Sequence, residues 1–373
     1  MHDVIVVGAG PVGSYTARKI SEKGYDVLLL EEHSKVGTPS QCAGLVTTRV
    51  LDIVKTNSIL NEIRGAEIYS PSLYSFYIGN EKVRAVVLDR EKFDEELANQ
   101  AIDNGTILKT DCKVKDINNS EVIVRKNGNT ENYKGKYIVG ADGPMSIIRK
   151  KFFSQPSKIL NGYQLVFSGG GNEDFVKIYG GNEIAPGFFG WCIPSGDYIK
   201  VGLATEKNPL PFMKNLLKLC KVDGKIIGKS SGMIPLGISK KTVYNNILVV
   251  GDAAMQVKPT SGGGIYFGLR AAEHASKSLL NAIENGKDNL KDYEKMWKKD
   301  LMNELQTGYK INSIYGSLTD SEMDQIIQIL SKETELINRY GDMDYPSILA
   351  LKLLGKHPSL LKYMKRFMLG DKI

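Results

Sequence analysis

The chain has 373 residues, of which 42% are hydrophobic and 24% charged, a composition typical of a globular protein long enough for two domains. No run of about 18 apolar residues occurs, which argues against a membrane-spanning helix. The net charge of +7 is modest and forms no concentrated basic stripe before the last 22 residues, so no nucleic-acid partner is expected.

The first 31 residues predict a strand, a tight turn, a helix and a second strand. Residues 4–7 are a continuous apolar run, as expected of a strand covered on both faces. The turn occupies residues 8–13, the helix residues 14–23 and the second strand residues 27–30. Because the buried strand begins at residue 3, no cleaved signal peptide is expected.

Gly8, Gly10 and Gly13 have the spacing Gly-x-Gly-x-x-Gly between this strand and this helix. The first glycine permits the turn, the second lets the backbone approach a pyrophosphate, and the third lets the helix pack on the strand. Free N–H groups at the helix N-terminus then bind the pyrophosphate. Glu31 follows the second strand, where a carboxylate accepts hydrogen bonds from a ribose and disfavours NADP. The pattern predicts a dinucleotide site.

The cysteines and histidines give no sign of a metal centre. Cys42, Cys112, Cys192 and Cys220 are far apart and form no C-x-x-C pair, so neither a zinc site nor a disulfide framework is expected. The four histidines lack metal-binding spacing. These features predict a cytoplasmic protein without a metal, with Cys112, Cys192 and Cys220 in structural roles.

The remaining chain predicts three kinds of structure. Apolar runs at 137–143 and 247–252 indicate further strands of the nucleotide-binding sheet. Residues 163–204 alternate aromatic, glycine and polar residues, which is typical of antiparallel strands with one open face. From about residue 288 the composition is helical, with residues 320–321 as a candidate helix cap.

Three motifs resemble hallmarks of the p-hydroxybenzoate hydroxylase-like FAD superfamily: residues 88–94 (LDREKFD), 140–149 (GADGPMSIIR) and 251–254 (GDAA). The resemblance covers most of the first 285 residues and implies FAD in an extended pose at the strand ends. By this resemblance Asp252 binds the ribityl or pyrophosphate hydroxyls and Arg90 reaches the pyrophosphate side. The same resemblance places the backbone of Val114 against the adenine and Asp142 behind the site.

Residues 259–265 (PTSGGGI) lead through glycines into a helix. Several N–H donors and the positive end of the helix dipole meet there, which suits the negative N1–C2 carbonyl edge of a reduced flavin. Side chains of the following helix, residues 266–279, are expected to cover the ring. Because no second Gly-x-Gly-x-x-Gly unit occurs, the reductant either visits the flavin transiently or is a protein.

Two segments resemble the geranylgeranyl reductase family, archaeal enzymes that saturate the isoprenoid chains of ether lipids. Residues 189–194 (FGWCIP) with 202–204 (GLA) are similar to its Tyr/Phe-x-Trp-x-Phe-Pro…Gly-x-Gly signature, and residues 37–45 to its Gly-x-Pro-x-x-Cys-Gly segment. The sequence departs from the family pattern at three positions: Ile193, Ala204 and Ala43.

The resemblance implies a flavin-dependent reduction of isolated C=C bonds, with hydride from N5 of FADH2 to one alkene carbon and a proton to the other. It brings Cys42 close to the isoalloxazine, as a contact with FAD or as the proton donor. Phe189 and Trp191 would form an apolar wall whose ring faces tolerate cationic character. The plainer alternatives are that Cys42 is a small buried hydrophobe and the aromatics are sheet core.

The predicted site therefore has two sets of residues. The predicted catalytic residues are Cys42, Trp191 and Phe189. The predicted cofactor-binding residues are Gly8, Gly10, Val12, Gly13, Glu31, Cys42, Ala43, Arg90, Val114, Asp252, Gly263, Gly264 and Ile265.

The predicted fold class is α/β, a Rossmann-like FAD-binding domain with an inserted antiparallel β-sheet substrate domain and a C-terminal helical region. The predicted boundaries are 1–50, 85–150 and 240–285 for the FAD-binding domain, 51–84 and 151–239 for the substrate domain, and 286–373 for the helical region. The domains are expected to interleave along the chain.

The expected partners are a polyprenyl lipid and an external electron donor, either a ferredoxin-like protein or NAD(P)H. Residues 352–373 alternate basic and apolar side chains, so they form either a peripheral contact with an anionic membrane or a docking helix with a solvated basic face. Two other functions stay open at this point. One is an FAD-dependent hydroxylase of a small aromatic substrate, and the other is a prenyl-lipid-binding flavoprotein with little turnover.

Overall fold

The computed structural model describes residues 1–170, 173–286 and 290–363. Its strands are β1 (His2–Val7), β2 (Val27–Leu30), β3 (Leu45–Thr47), β4 (Ile59–Ile63), β5 (Gly65–Tyr69), β6 (Ser75–Gly79), β7 (Ala85–Leu88), β8 (Ile107–Lys109), β9 (Lys113–Asn118), β10 (Glu121–Lys126), β11 (Asn129–Gly140), β12 (Lys158–Ser168), β13 (Phe175–Tyr179), β14 (Gly190–Ser195), β15 (Tyr198–Thr205), β16 (Ile226–Leu236), β17 (Val243–Tyr244) and β18 (Ile247–Val249). Its α-helices are α1 (Pro11–Ser21), α2 (Arg49–Ile53), α3 (Arg90–Asp103), α4 (Ile147–Phe152), α5 (Leu210–Cys220), α6 (Ile265–Asn285), α7 (Lys291–Gly316), α8 (Asp320–Ser331), α9 (Thr334–Tyr340) and α10 (Ser347–Lys356).

The first sheet has the strand order β17-β18-β11-β1-β2-β8, and β1 pairs in parallel with both β2 and β11. β9 and β10 extend it as an antiparallel ribbon on the long strand β11. Val4 and Val6 join the core formed with α1, α3 and α6, whereas Ile5 and Val7 join the core on the opposite face. Both faces of β1 are therefore covered, which explains why its sequence is apolar without alternation.

The second sheet has the order β16-β12-β15-β14-β13-β5-β6, so it collects strands from two separate parts of the chain. Its pairs are antiparallel except β13 with β5, which run in parallel, so the expectation of a purely antiparallel sheet needs this correction. A third, three-stranded sheet has the order β3-β7-β4. In the sequence its strands precede and follow β5 and β6 of the second sheet. The predicted α/β fold class is confirmed.

Two local expectations were wrong. The first helix begins at Pro11 rather than at residue 14, because proline fits the first helical position, where its missing N–H costs no hydrogen bond. The cap of α8 is Thr319 rather than residues 320–321: its side chain accepts from the Glu322 N–H, and Glu322 in turn bonds the Thr319 backbone. No helix of the described part is long and apolar enough to cross a membrane.

Candidate active site

One continuous cavity of about 1160 Å³ runs from the carboxyl ends of β1 and β2 to the second sheet and the C-terminal helices. The glycine turn after β1 and the segment 37–43 line it from the first sheet. The aromatic residues before and on β14 line it from the second sheet, and residues of α9 and α10 close its far side. The parallel strands thus deliver their polar ends to the same space, as open α/β sheets do at ligand crevices.

The three glycines of the first turn have three different surroundings. A Cβ on Gly8 would lie 2.3 Å from the Ala141 carbonyl oxygen, and one on Gly13 only 1.9 Å from the Gly8 carbonyl oxygen. A Cβ on Gly10 would meet nothing within 4 Å, and Gly10 lines the cavity. Gly8 and Gly13 therefore serve close packing of the protein itself, whereas Gly10 leaves the room that a pyrophosphate needs.

Glu31 lies at the end of β2, against this turn. Its carboxylate accepts the Ala9 N–H at 3.0 Å and the His33 N–H at 2.9 Å, so the side chain is held in one orientation at the edge of the cavity. Val114 lines the same end from β9, and Val12 lines it from α1. This end therefore offers an oriented acceptor and apolar neighbours, which suit a ribose and an adenine.

Asp252 follows β18 and faces the cavity beside two guanidinium groups. Among the described residues no hydrogen bond reaches its carboxylate, and Arg90 and Arg149 supply only longer-range positive charge. Burial raises the pKa of Asp252 to about 6. Arg90 itself is held by Asp94 through two hydrogen bonds of 2.9 and 2.8 Å. A carboxylate in this state is suited to accept hydrogen bonds from a ligand hydroxyl.

The raised pKa of Asp252 predicts a pH-dependent stability. The folded chain without FAD holds the carboxyl proton of Asp252 more tightly than the unfolded chain does. The contribution of this proton to the free energy of unfolding is therefore fully present below pH 4 and is lost as the pH rises through about 6. Asn cannot titrate, so we expect Asp252→Asn to abolish this loss. Between pH 4 and pH 8 the free energy of unfolding of the variant should therefore rise by about 3 kcal/mol relative to that of the parent protein. Urea unfolding of the two cofactor-free proteins at pH 4 and pH 8 measures this difference. The same change of unfolding free energy with pH in both proteins would contradict the prediction.

A second layer of polar groups supports Asp252. Arg149 is 1% exposed and donates to the carbonyl oxygens of Pro144 at 2.5 Å and Asp252 at 3.1 Å, which ties the ends of β11 and β18 together. One oxygen of Asp142 accepts the Ile147 N–H at 2.9 Å, while the other is buried without a partner. Burial raises the pKa of Asp142. Because Asp142 lines the cavity, this oxygen, unpartnered among the described residues, is suited to accept a hydrogen bond from a ligand.

The glycine segment before α6 is shaped by its neighbours. A Cβ on Gly264 would lie 2.3 Å from an Asp252 oxygen, and one on Gly263 would lie 2.9 Å from Cε of Lys258. Gly263, Gly264 and Ile265 line the cavity, so the backbone at the start of α6 is open to a ligand. A side chain at Gly263 or Gly264 would therefore displace Lys258 or Asp252.

The expectation that helix residues 266–279 cover the flavin ring was wrong. Tyr266 and Phe267 are buried in the core that α6 shares with α1, and among the described cavity-lining residues only Ile265 belongs to α6. The helix thus turns its apolar face to the core and only its first residue to the site.

A buried ionic network around Lys258 was not predicted from the sequence. Its ammonium lies 2.6 Å from an oxygen of Asp344, which is fully buried. The other Asp344 oxygen accepts from Thr47 at 2.6 Å and from Arg49 at 3.1 Å, and Arg49 also pairs with Asp342. The network links α2 and the glycine segment to the chain between α9 and α10, so it fixes the wall of the cavity.

Cys42 and Ala43 line the cavity beside two cations, Arg90, which also lines it, and the buried Lys200. The Cys42 sulfur accepts the Gly44 N–H at 3.4 Å, and the buried Lys200 donates to the Ala43 carbonyl oxygen at 2.9 Å. The Asp94 carboxylate and the Cys42 thiol beside Arg90 outweigh burial and raise the pKa of Arg90. Burial lowers the pKa of Lys200. The Cys42 thiol therefore lies at the cavity wall next to the Arg90 guanidinium.

The aromatic wall lies on the second sheet. Phe188 and Phe189 stack with ring centroids 4.2 Å apart, and Phe189 meets Trp191 edge to face at 6.2 Å. The Trp191 N–H donates to Gln164 at 3.0 Å, so the polar atom of this cavity-lining indole has a protein partner. A Cβ on Gly202 would lie 2.6 Å from the indole ring. The glycine of the Gly-Leu-Ala segment therefore makes room for the tryptophan.

The structure brings the predicted residues together in one place. Every predicted cofactor-binding residue except Gly13 lines the cavity, and so do Cys42, Phe189 and Trp191. Their individual roles toward a bound ligand stay predictions. The polar supports that sequence reasoning missed are Lys258, Asp344, Lys200 and Gln164. In the described part of the chain no group of three or more His, Cys, Asp or Glu side chains is arranged to hold a metal ion.

Comparisons with known proteins agree with this geometry. The FAD binding domain family matches residues 1–159. The chain is 34% identical to an uncharacterized protein of Methanocaldococcus jannaschii over 95% of each chain, and 30% identical to the digeranylgeranylglycerophospholipid reductase of that organism over 98% of each. The fold is similar to that of a geranylgeranyl bacteriochlorophyll reductase-like protein of Thermoplasma acidophilum, with a TM-score of 0.82, 23% identity and coverage of 96% and 99%.

Three features fit FAD: the Rossmann-like sheet, the open space at Gly10, and two carboxylates at the cavity, Asp142 with one oxygen unpartnered among the described residues and Asp252. Together with the domain match they define an FAD-binding protein. The predicted cofactor is thereby confirmed. The chain belongs to the digeranylgeranylglycerophospholipid reductase family, which confirms the resemblance seen in the sequence.

Proposed function

We propose that the protein is a flavin-dependent reductase that saturates isolated C=C bonds in the geranylgeranyl chains of archaeal ether-lipid precursors. Membership of the family supports this proposal, and so does the cavity that joins the FAD-binding residues to an aromatic wall. An external donor, a ferredoxin-like protein or NAD(P)H, would supply the electrons. Bound FAD would supply the hydride for the alkene.

The observation that carries the proposal is the position of Cys42 and Trp191 in the cavity that also contains Asp252 and the glycine turn. Phe189 and Trp191 provide an apolar wall that displaces water from a prenyl chain, and their ring faces stabilise positive charge on an alkene carbon. The Cys42 thiol supplies the proton to the second carbon. Isolated alkenes accept hydride poorly, so the proton and the hydride must be delivered to a chain held in one position.

An anaerobic experiment tests the proposal. The FAD-loaded protein is reduced with dithionite, digeranylgeranylglycerophospholipid is added, and the flavin absorbance is followed while the lipid is analysed by mass spectrometry. We expect reoxidation that depends on the lipid, with a gain of two hydrogen atoms for each reduced bond. The same lipid with fully saturated chains is the control and should leave the flavin reduced.

The alternatives give different results. A flavin that stays reduced with the lipid but reoxidises rapidly in air, with oxygen consumption stimulated by an aromatic substrate, would indicate the hydroxylase. A lipid that binds without any change in mass would indicate the lipid-binding flavoprotein.

We also propose that the mouth of the cavity rests on an anionic membrane surface. Leu349 of α10 lines the cavity, while Ile348 and Leu351 of the same helix are 53% and 70% exposed. Lys352 and Lys356 are exposed close by. Residues 364–373, the end of the predicted basic segment, lie outside the described residues. An apolar helix face next to lysines favours a lipid surface with negative charge.

We expect the protein to sediment with phosphatidylglycerol vesicles at low salt, and Ile348→Ser with Leu351→Ser to weaken this binding about tenfold, since less apolar area is buried. Ile226→Ser with Ile227→Ser is the matched control, because these isoleucines are 58% and 54% exposed on β16. Equal binding of both double variants would contradict the assignment of α10.

A further inference from the structure

A cationic patch lies at the end of the cavity away from the glycine turn. Arg64, Lys82 and Arg84 line the cavity there, next to the beginning of β7. The backbone N–H of Arg84 donates to the Ile63 carbonyl oxygen at 2.8 Å, and its guanidinium donates to the Asn338 carbonyl oxygen of α9 at 3.0 Å. Arg84 is thus fixed by contacts to a strand and to a helix, and within the part of the chain that the structure describes its guanidinium forms one hydrogen bond.

The charge of this patch is only partly balanced. Arg64 pairs with Asp174 at 3.2 Å and with Glu81 at 3.8 Å, and Arg49 is held by Asp342 and Asp344. Within residues 1–170, 173–286 and 290–363, neither Lys82 nor Arg84 forms an ion pair. Two positive charges on the cavity wall are therefore available to an anion.

The patch continues into an apolar stretch. Lys82 and Arg84 are two positions apart just before β7, and both line the cavity although Lys82 lies in a bend. The apolar side chains that pack together next to Asn338 and also line the cavity are Ile68, Ile78, Ile337 and Leu349. Ala85, at the start of β7, and Arg90, just beyond its end, also line the cavity, and the mainly extended chain between them spans about 16 Å. The apolar part of this wall is long enough for an apolar chain, and the cationic patch at its end suits an anionic head group.

We infer that Lys82 and Arg84 bind the phosphate group of the prenyl lipid. This inference rests on the proposed function and adds the recognition of the head group to it. Guanidinium and ammonium groups form strong, charge-assisted hydrogen bonds with phosphate oxygens. With the phosphate held at the mouth, the chains extend along the apolar wall toward Cys42 and Trp191.

The test compares two lipids, digeranylgeranylglycerol phosphate and digeranylgeranylglycerol without the phosphate. Equilibrium binding of each to the FAD-loaded protein is followed by flavin fluorescence, and kcat/KM for reduction is measured with dithionite. We expect the parent protein to prefer the phosphate lipid by about tenfold or more in both measurements, and Lys82→Gln with Arg84→Gln to lose this preference. Lys115→Gln with Arg125→Gln, which removes two exposed charges from β9 and β10, should keep it.

The outcomes separate the two proposals. If neither lipid is reduced by any of the proteins, the proposed function fails, while the binding preference still decides the role of Lys82 and Arg84. If both lipids are reduced and bound equally by the parent protein, or if the double variant keeps the preference, the head-group assignment is wrong. Glycerol phosphate without chains should bind far more weakly, and equally tight binding would identify a site for a free phosphate ester instead.

Discussion

Cys42→Ala is expected to lower the turnover number for alkene reduction by about a hundredfold or more while FAD remains bound. A positioned general acid contributes about two to four orders of magnitude to a rate, and alanine has no proton to give. The thiol has the geometry for this task, because it lines the cavity and accepts the Gly44 N–H at 3.4 Å. Anaerobic single-turnover kinetics of the reduced protein with the lipid, together with a titration of FAD, measure both quantities.

Cys42→Ser distinguishes proton donation from a contact with FAD. Its hydroxyl still accepts the Gly44 N–H but is a much weaker acid than a thiol, so we expect FAD to bind normally and turnover to stay low. Cys192→Ala is the control, since Cys192 is buried in the core of the second sheet on the strand that carries Trp191. Loss of FAD from both Cys42 variants with normal turnover after reloading would show that Cys42 is a cofactor contact only.

Local spacing in the sequence predicted a dinucleotide site at the glycine turn, and the resemblance to the FAD superfamily added Asp252. Gly8, Gly10 and Gly13 are adjacent to the strand and helix that they connect, and Asp252 follows a recognisable apolar run. Such features depend on the backbone within a few residues, so their geometry follows from the sequence with little influence from the rest of the fold. The individual roles of these residues stay predictions until FAD binding is measured.

Long-range contacts could not be predicted in this way. Lys258 and Asp344 are separated by 86 positions, and nothing near either residue indicates that they meet in a buried ion pair. The position of α6 is a second example: its residues 266–279 were predicted to cover the flavin ring, but they pack in the core that α6 shares with α1. In both cases the deciding partner lies on another element, and hydrophobic periodicity does not identify partners.

Gly10→Ala and Gly13→Ala are expected to fail in different ways. A Cβ at position 10 enters the open cavity, so the cofactor-free chain should unfold at nearly the same urea concentration as the parent protein. The same methyl group occupies space that the pyrophosphate needs, and crowding of this kind costs about 1–3 kcal/mol. We therefore expect the dissociation constant of FAD to rise about tenfold to a hundredfold, as measured by fluorescence titration.

At position 13 the methyl group would lie 1.9 Å from the Gly8 carbonyl oxygen, a distance that no side-chain rotation can relieve. α1 must then move away from β1, and we expect the chain to lose much of its stability even without FAD. Gly355→Ala, at an open position in α10, should change neither stability nor FAD affinity by much. If Gly10→Ala bound FAD as tightly as the parent protein, the pyrophosphate would not approach this turn. If Gly13→Ala unfolded like the parent, the helix would not depend on close contact with the strand.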